Sequence, residues 1–68
     1  MQKMTLKAAR VNVGLTQADV AKALNVSKKT VCSWENGKSF PSVDRLEAIC
    51  ALFNCRYDDL NFLPNDSL

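Results

Sequence analysis

Sixty-eight residues with a net charge of +2 allow one domain and leave no room for a second. A chain this short buries only about 60% of its unfolded surface, so its core is marginal. It contains no His, and Cys32, Cys50 and Cys55 form no C-x-x-C pair, so a four-ligand zinc site is excluded and no metal or cofactor is expected. An odd cysteine count argues against a secreted disulfide scaffold and fits a reducing, cytoplasmic setting. Val, Leu, Ile and Phe make up 18 of 68 residues, enough for a packed core. No apolar run approaches the ~20 residues of a membrane span, and no signal-peptide core follows Met1. With two glycines and two prolines, helices are favoured over turn-rich β structure. A compact all-α binding module is therefore expected rather than an enzyme.

The small net charge conceals an asymmetry. Residues 1–45 carry eight bases (Lys3, Lys7, Arg10, Lys22, Lys28, Lys29, Lys38, Arg45) against three acids (Asp19, Glu35, Asp44). Residues 46–68 carry Arg56 against Glu47, Asp58, Asp59 and Asp66. Such a division suggests one face that attracts an anion and another that does not; a merely solvated surface is the alternative.

Helix punctuation recurs along the chain. Thr5 precedes a first helix, Leu6 to Val13, which Gly14 ends. Leu6, Ala9 and Val13 define its apolar face. Thr16 caps a second, Gln17 to Leu24, with Asp19 completing an approximate capping box. Asn25 sits where a left-handed C-terminal residue is wanted, and Val26 turns inward. Ser27 caps a third helix, Lys28 to about Asn36, closed by Gly37. After the loop Lys38-Ser39-Phe40-Pro41, Ser42 caps a fourth, with Val43, Leu46, Ile49, Cys50 and Phe53 as its apolar stripe. Asn54-Cys55-Arg56 reads as a turn before a short fifth helix, Tyr57 to about Phe62. Residues 64–68 read as a flexible tail, leaving 1–63 as the domain. The link between the second and third helices is about three residues, which forces the sharp crossing of a helix-turn-helix at about residues 17–36.

On a helical wheel the third helix separates two faces. Lys28, Lys29, Cys32, Ser33 and Asn36 lie on one side, and Val31, Trp34 and Glu35 on the other. The first face has no large apolar residue, and its two lysines sit at the positive end of the helix dipole, at a cost of about 0.3–1 kcal/mol each. That placement suggests an anionic partner. On the apolar faces of the first and third helices, Arg10 and Glu35 are each misplaced charges; the simplest resolution is that they pair, the alternative being that both snorkel to water. Trp34 is read as core, and Cys50 and Cys55 as small core residues. Cys32 shares the lysine face, where inert contact is a simpler reading than redox control.

The segments Leu15-Thr16-Gln17-Ala18-Asp19-Val20-Ala21, Val26-Ser27, Val31 and Trp34-Glu35-Asn36-Gly37-Lys38 resemble the Cro/phage-repressor (Xre-type) helix-turn-helix domain. Pro41-Ser42, Leu46, Ile49, Phe53 and Asp58-Asp59-Leu60 extend the resemblance over roughly residues 6–63. It implies a compact five-helix, lambda-repressor-like domain that binds double-stranded operator DNA, generally as a homodimer. It further implies that Lys28, Lys29 and Ser33 occupy base-reading positions, and that Gln17, Ser27, Asn36 and Lys38 lie against the DNA backbone. Gln17 corresponds to a glutamine that grips a phosphate and buttresses the first recognition residue. Arg10 and Glu35 match a structural ion pair of part of the family. Phe40, Phe62 and Leu63 are candidate dimer contacts, the alternative being that they pack back onto the core. Two lysines replace glutamines found in several members; lysine favours guanine or phosphate where glutamine reads adenine, so operator sequence is not inherited. Arg56 replaces a capping Ser or Thr, implying a loosely started fifth helix. Neither a small-molecule ligand nor an attached sensor domain is expected in this chain. The competing functional class is a protein-interaction module on the same scaffold, with the acidic C-terminal third as its surface.

Overall fold

Each helix is bounded by the same pair of local devices. In the computed structural model, which describes residues 4–61, the elements run β1 (Met4–Thr5), α1 (Leu6–Asn12), α2 (Gln17–Leu24), α3 (Lys28–Glu35), α4 (Val43–Phe53), a 3₁₀ turn (Tyr57–Asp59) and β2 (Leu60–Asn61). Hydroxyl side chains of Thr5, Thr16, Ser27 and Ser42 accept backbone N–H groups from the first turns of the four helices, satisfying donors that have no helical partner. At α2 the box is reciprocal: the Asp19 N–H donates to Thr16 Oγ1 at 3.0 Å, and the Thr16 N–H donates to Asp19 Oδ2 at 2.8 Å. The Thr16 N–H bond to the charged carboxylate, supported by the Thr16 side chain, holds Asp19 below its ordinary pKa.

The helix ends are equally uniform. Gly14, Asn25, Gly37 and Asn54 all adopt positive φ, and the residue after each one donates its N–H five residues back. These bonds are Leu15→Arg10 at 3.2 Å, Val26→Ala21 at 2.9 Å, Lys38→Ser33 at 3.0 Å and Cys55→Cys50 at 3.0 Å. This is the Schellman termination, and two of its four left-handed positions are filled by asparagine, which tolerates that conformation.

Leu6 and Ala9 of α1, Val20 and Ala21 of α2, Val31 and Trp34 of α3, Ile49 and Phe53 of α4, and Leu60 of β2 form one buried cluster. Met4, Leu15, Leu24, Val26, Cys50, Leu52 and Cys55 pack around it half-buried. Trp34 is thus core, as the wheel requires. Three expected core positions are not. Leu46 of α4 is half-buried outside this cluster. Val13 lies beyond the last turn of α1 and is partly exposed, and Val43, at the first position of α4, is 72% exposed because the core reaches that helix only further along.

The largest departure from expectation is the fifth helix. Tyr57–Asp59 makes a single 3₁₀ turn, and the chain then extends so that β2 pairs in parallel with β1, Met4 opposite Leu60 and Thr5 opposite Asn61. The described residues therefore form four α-helices and a minimal two-stranded sheet, not five helices. The physical cause is local: Asp58, Asp59 and Asn61 are weak helix formers, and Arg56 supplies no side-chain cap. Extension also places Leu60 in the core and gives its backbone a ladder partner. Phe62, Leu63 and the expected tail over 64–68 lie outside the described residues. No helix among the described residues is long and apolar enough to cross a membrane.

Candidate nucleic-acid interface

The geometry of α3 is set at both ends by α2 and α1. Asn25, Val26 and Ser27 alone separate α2 from α3, and the left-handed Asn25 turns the chain between them. Ser27 Oγ accepts the Thr30 N–H at 3.1 Å and lies 2.9 Å from Thr30 Oγ1, closing the first turn of α3. Val31 and Trp34 anchor the helix inward, so Lys28 and Lys29 are left exposed, with Cys32 and Ser33 half-buried beside them.

At the far end of α3, Glu35 enters a polar cluster set into the core boundary. Arg10 Nε donates to Glu35 Oε2 at 2.6 Å, and their side chains are only 10% and 4% exposed. Arg10 Nη2 lies 3.5 Å from Oε1, making a lopsided two-point contact. Arg10 Nη1 donates to the Leu15 carbonyl at 2.7 Å, and Gln17 Nε2 donates to Glu35 Oε1 at 2.9 Å. One carboxylate thus joins α1, the α1–α2 turn, the start of α2 and the end of α3. Such a charge is tolerable inside a domain only because its oxygens are saturated by donors. Sequence reasoning placed Arg10 and Glu35 on facing surfaces but missed the Gln17–Glu35 bond and the Leu15 carbonyl. One signal existed for the first, since Gln17 shares a line with Ala21 and Leu24; none existed for a loop carbonyl.

The remaining candidate residues fall on the periphery. Asn36 is exposed and its Nδ2 lies 3.3 Å from Cys32 Sγ, so its amide folds along the outer side of α3. Lys38 is exposed at the Schellman position of α3, where α1, α2 and α4 instead place Leu15, Val26 and Cys55 against the core. Among the described residues, no acid lies within ion-pairing distance of Lys28, Lys29 or Lys38. The first turn of α3 also contains no acid, unlike those of α2 and α4. The result is three exposed cations that no described residue compensates, with the helix dipole adding positive potential at the start of α3. Phe40, in the loop before α4, is 59% exposed.

Two successive short helices joined by a three-residue turn, the second presenting a polar basic face, define a helix-turn-helix domain. The match to the helix-turn-helix family model runs over residues 6–60, and the chain belongs to that family, of the Xre/Cro type. Among curated relatives, an uncharacterized HTH-type transcriptional regulator of Methanocaldococcus jannaschii is 36% identical, over 94% of this chain and 97% of the relative. The HTH-type transcriptional activator BcrR of Enterococcus faecalis is 34% identical over 81% of this chain, and the antitoxin PezA of Streptococcus pneumoniae is 33% identical over 81%. The chain spans only 27% of BcrR and 35% of PezA. No solved structure gives a significant match.

Proposed function

We propose that the chain is a sequence-specific DNA-binding transcriptional regulator, repressor-like, that inserts α3 into the major groove of its operator as a homodimer. The observation that carries this reading is the exposed Lys28, Lys29 and Lys38, which no described acid pairs, at the two ends of a helix whose opposite face is locked into the core. A helix tuned for stability alone would place acids in its first turn. Membership of the family and the names of the relatives support the same reading.

In this mechanism Lys28, Lys29 and Ser33 face base edges, while Gln17, Ser27, Asn36 and Lys38 approach phosphates and set the register. Gln17 has one amide hydrogen and its carbonyl left after bonding Glu35, so a phosphate contact does not require it to leave the cluster. Two copies would present their α3 helices about 34 Å apart, in successive grooves of a pseudo-palindrome. The exposed Phe40 supports a contact between copies in which the acidic C-terminal third is turned from the DNA.

Titration with selected and random duplexes at two salt concentrations tests the proposal. Lys38→Ala should weaken binding to all sequences and reduce the salt slope by about one unit. Lys29→Ala should relax preference at one base position by roughly 1–3 kcal/mol. Salt-insensitive or absent binding would favour a protein-interaction module, and equal effects of the two substitutions would refute the base-reading assignment.

A further inference from the structure

The Schellman motif at the end of α4 differs from the other three in chemistry. In that motif the side chains of the residues joined by the long backbone bond frequently meet. Elsewhere in this chain those pairs are Arg10 and Leu15, Ala21 and Val26, and Ser33 and Lys38; at α4 they are Cys50 and Cys55, bonded N–H to carbonyl at 3.0 Å. From Cys55 Cα through that hydrogen bond to Cys50 Cα, covalent geometry leaves at most about 7 Å between the two Cα atoms. Disulfides span about 4.4–6.8 Å. Both thiols are free and half-buried, and they line the same open depression with Ala51, Asn54, Arg56 and Asp59.

We propose that Cys50 and Cys55 form a dithiol site that is oxidised reversibly to an intramolecular disulfide by a low-molecular-weight disulfide of the glutathione type. One protein thiolate attacks the reagent disulfide, forming a mixed disulfide and releasing one reagent thiolate. The second protein thiolate then attacks the protein sulfur of that mixed disulfide, closing the Cys50–Cys55 bond and releasing the other reagent thiol. The protein loses two protons and two electrons; the reagent disulfide gains both. The new bond ties the last turn of α4 to the segment that leads into the 3₁₀ turn, so it opposes fraying there. Burial first, then the neighbouring Cys50 and Asp59, pushes the Cys55 thiol above its ordinary pKa, so the reaction accelerates as pH rises and more thiolate forms. Cys32, whose side-chain neighbour is Asn36, has no second thiol to close a ring.

The site is independent of the DNA-binding reading. The full chain is equilibrated with mixtures of oxidised and reduced glutathione, trapped with an alkylating reagent and read by peptide mass spectrometry. The expected product is a species two hydrogens lighter with a Cys50–Cys55 crosslink, while Cys32 is alkylated or carries glutathione. Its thermal midpoint should rise and return to the starting value on adding dithiothreitol. Cys55→Ser should instead accumulate a glutathione adduct on Cys50 and show no reversible rise. Separate adducts on Cys50 and Cys55 in the unsubstituted chain, or alkylation of both under conditions that modify Cys32, would overturn the proposal.

Discussion

Glu35 shows how one side chain gains importance from what it neutralises. Its carboxylate receives Arg10 and Gln17, and Arg10 also holds the Leu15 carbonyl, so the end of α3 is fastened to α1 and α2 by a single group. Glu35→Ala would leave a guanidinium that is 10% exposed without its counter-charge, and a loss of about 3–5 kcal/mol is expected in urea unfolding. Replacing both Arg10 and Glu35 with methionine should recover most of that loss, because two well-packed apolar side chains remove the desolvation cost. A loss under about 1 kcal/mol for Glu35→Ala would mean that the pair behaves as a surface ion pair. The facing of Arg10 and Glu35 is legible in sequence, because a charge on an apolar stripe needs a partner. The third member, Gln17, is legible only in part: its line with Ala21 and Leu24 turns it inward, but a glutamine at a helix start is equally at home in water.

At the scale of the element, α2, α3 and their turn are largely local inventions. Thr16 with Asp19, Ser27, Asn25 and Gly37 each perform a task that neighbours within a few residues define, so the helix-turn-helix is readable before any tertiary contact is known. Asn25 sets the angle between the two helices at φ 57°. Asn25→Ala should cost roughly 1–2 kcal/mol, since alanine meets the steric penalty of the left-handed region. Asn25→Gly should be close to neutral, and equal losses for both in urea unfolding would show that the asparagine side chain, not backbone conformation, matters. The same local logic fails after Asn54. Residues 57–61 contain helix-compatible spacing, yet Arg56 offers no cap and the partner strand lies at the other end of the sequence.

The whole molecule is closed by that distant partner. β1 and β2 have two residues each, too few to show any periodicity, and they bring residues 4 and 60 together over the core. Leu60 is 4% exposed within a cluster fed by every helix. Leu60→Ala should therefore lower stability by about 2–5 kcal/mol, a large part of what a small domain has. The loss should appear with early hydrogen exchange at the amides of residues 4–6, whereas exchange unchanged at the chain start would show that the ladder does not depend on Leu60.

Sequence alone determined the four helices, their caps, the three-residue turn and the division of α3 into an apolar and a basic face, because each depends on residues within one or two turns of one another. Length and charge did so too, through the crowding of bases into residues 1–45. Tertiary structure alone decided that Val43 faces water, that Gln17 is drawn onto Glu35, and that the last segment extends against β1 instead of coiling. Those outcomes depend on which surfaces meet across the fold, where burial of one leucine and the pairing of two short strands outweigh a weak local preference for helix.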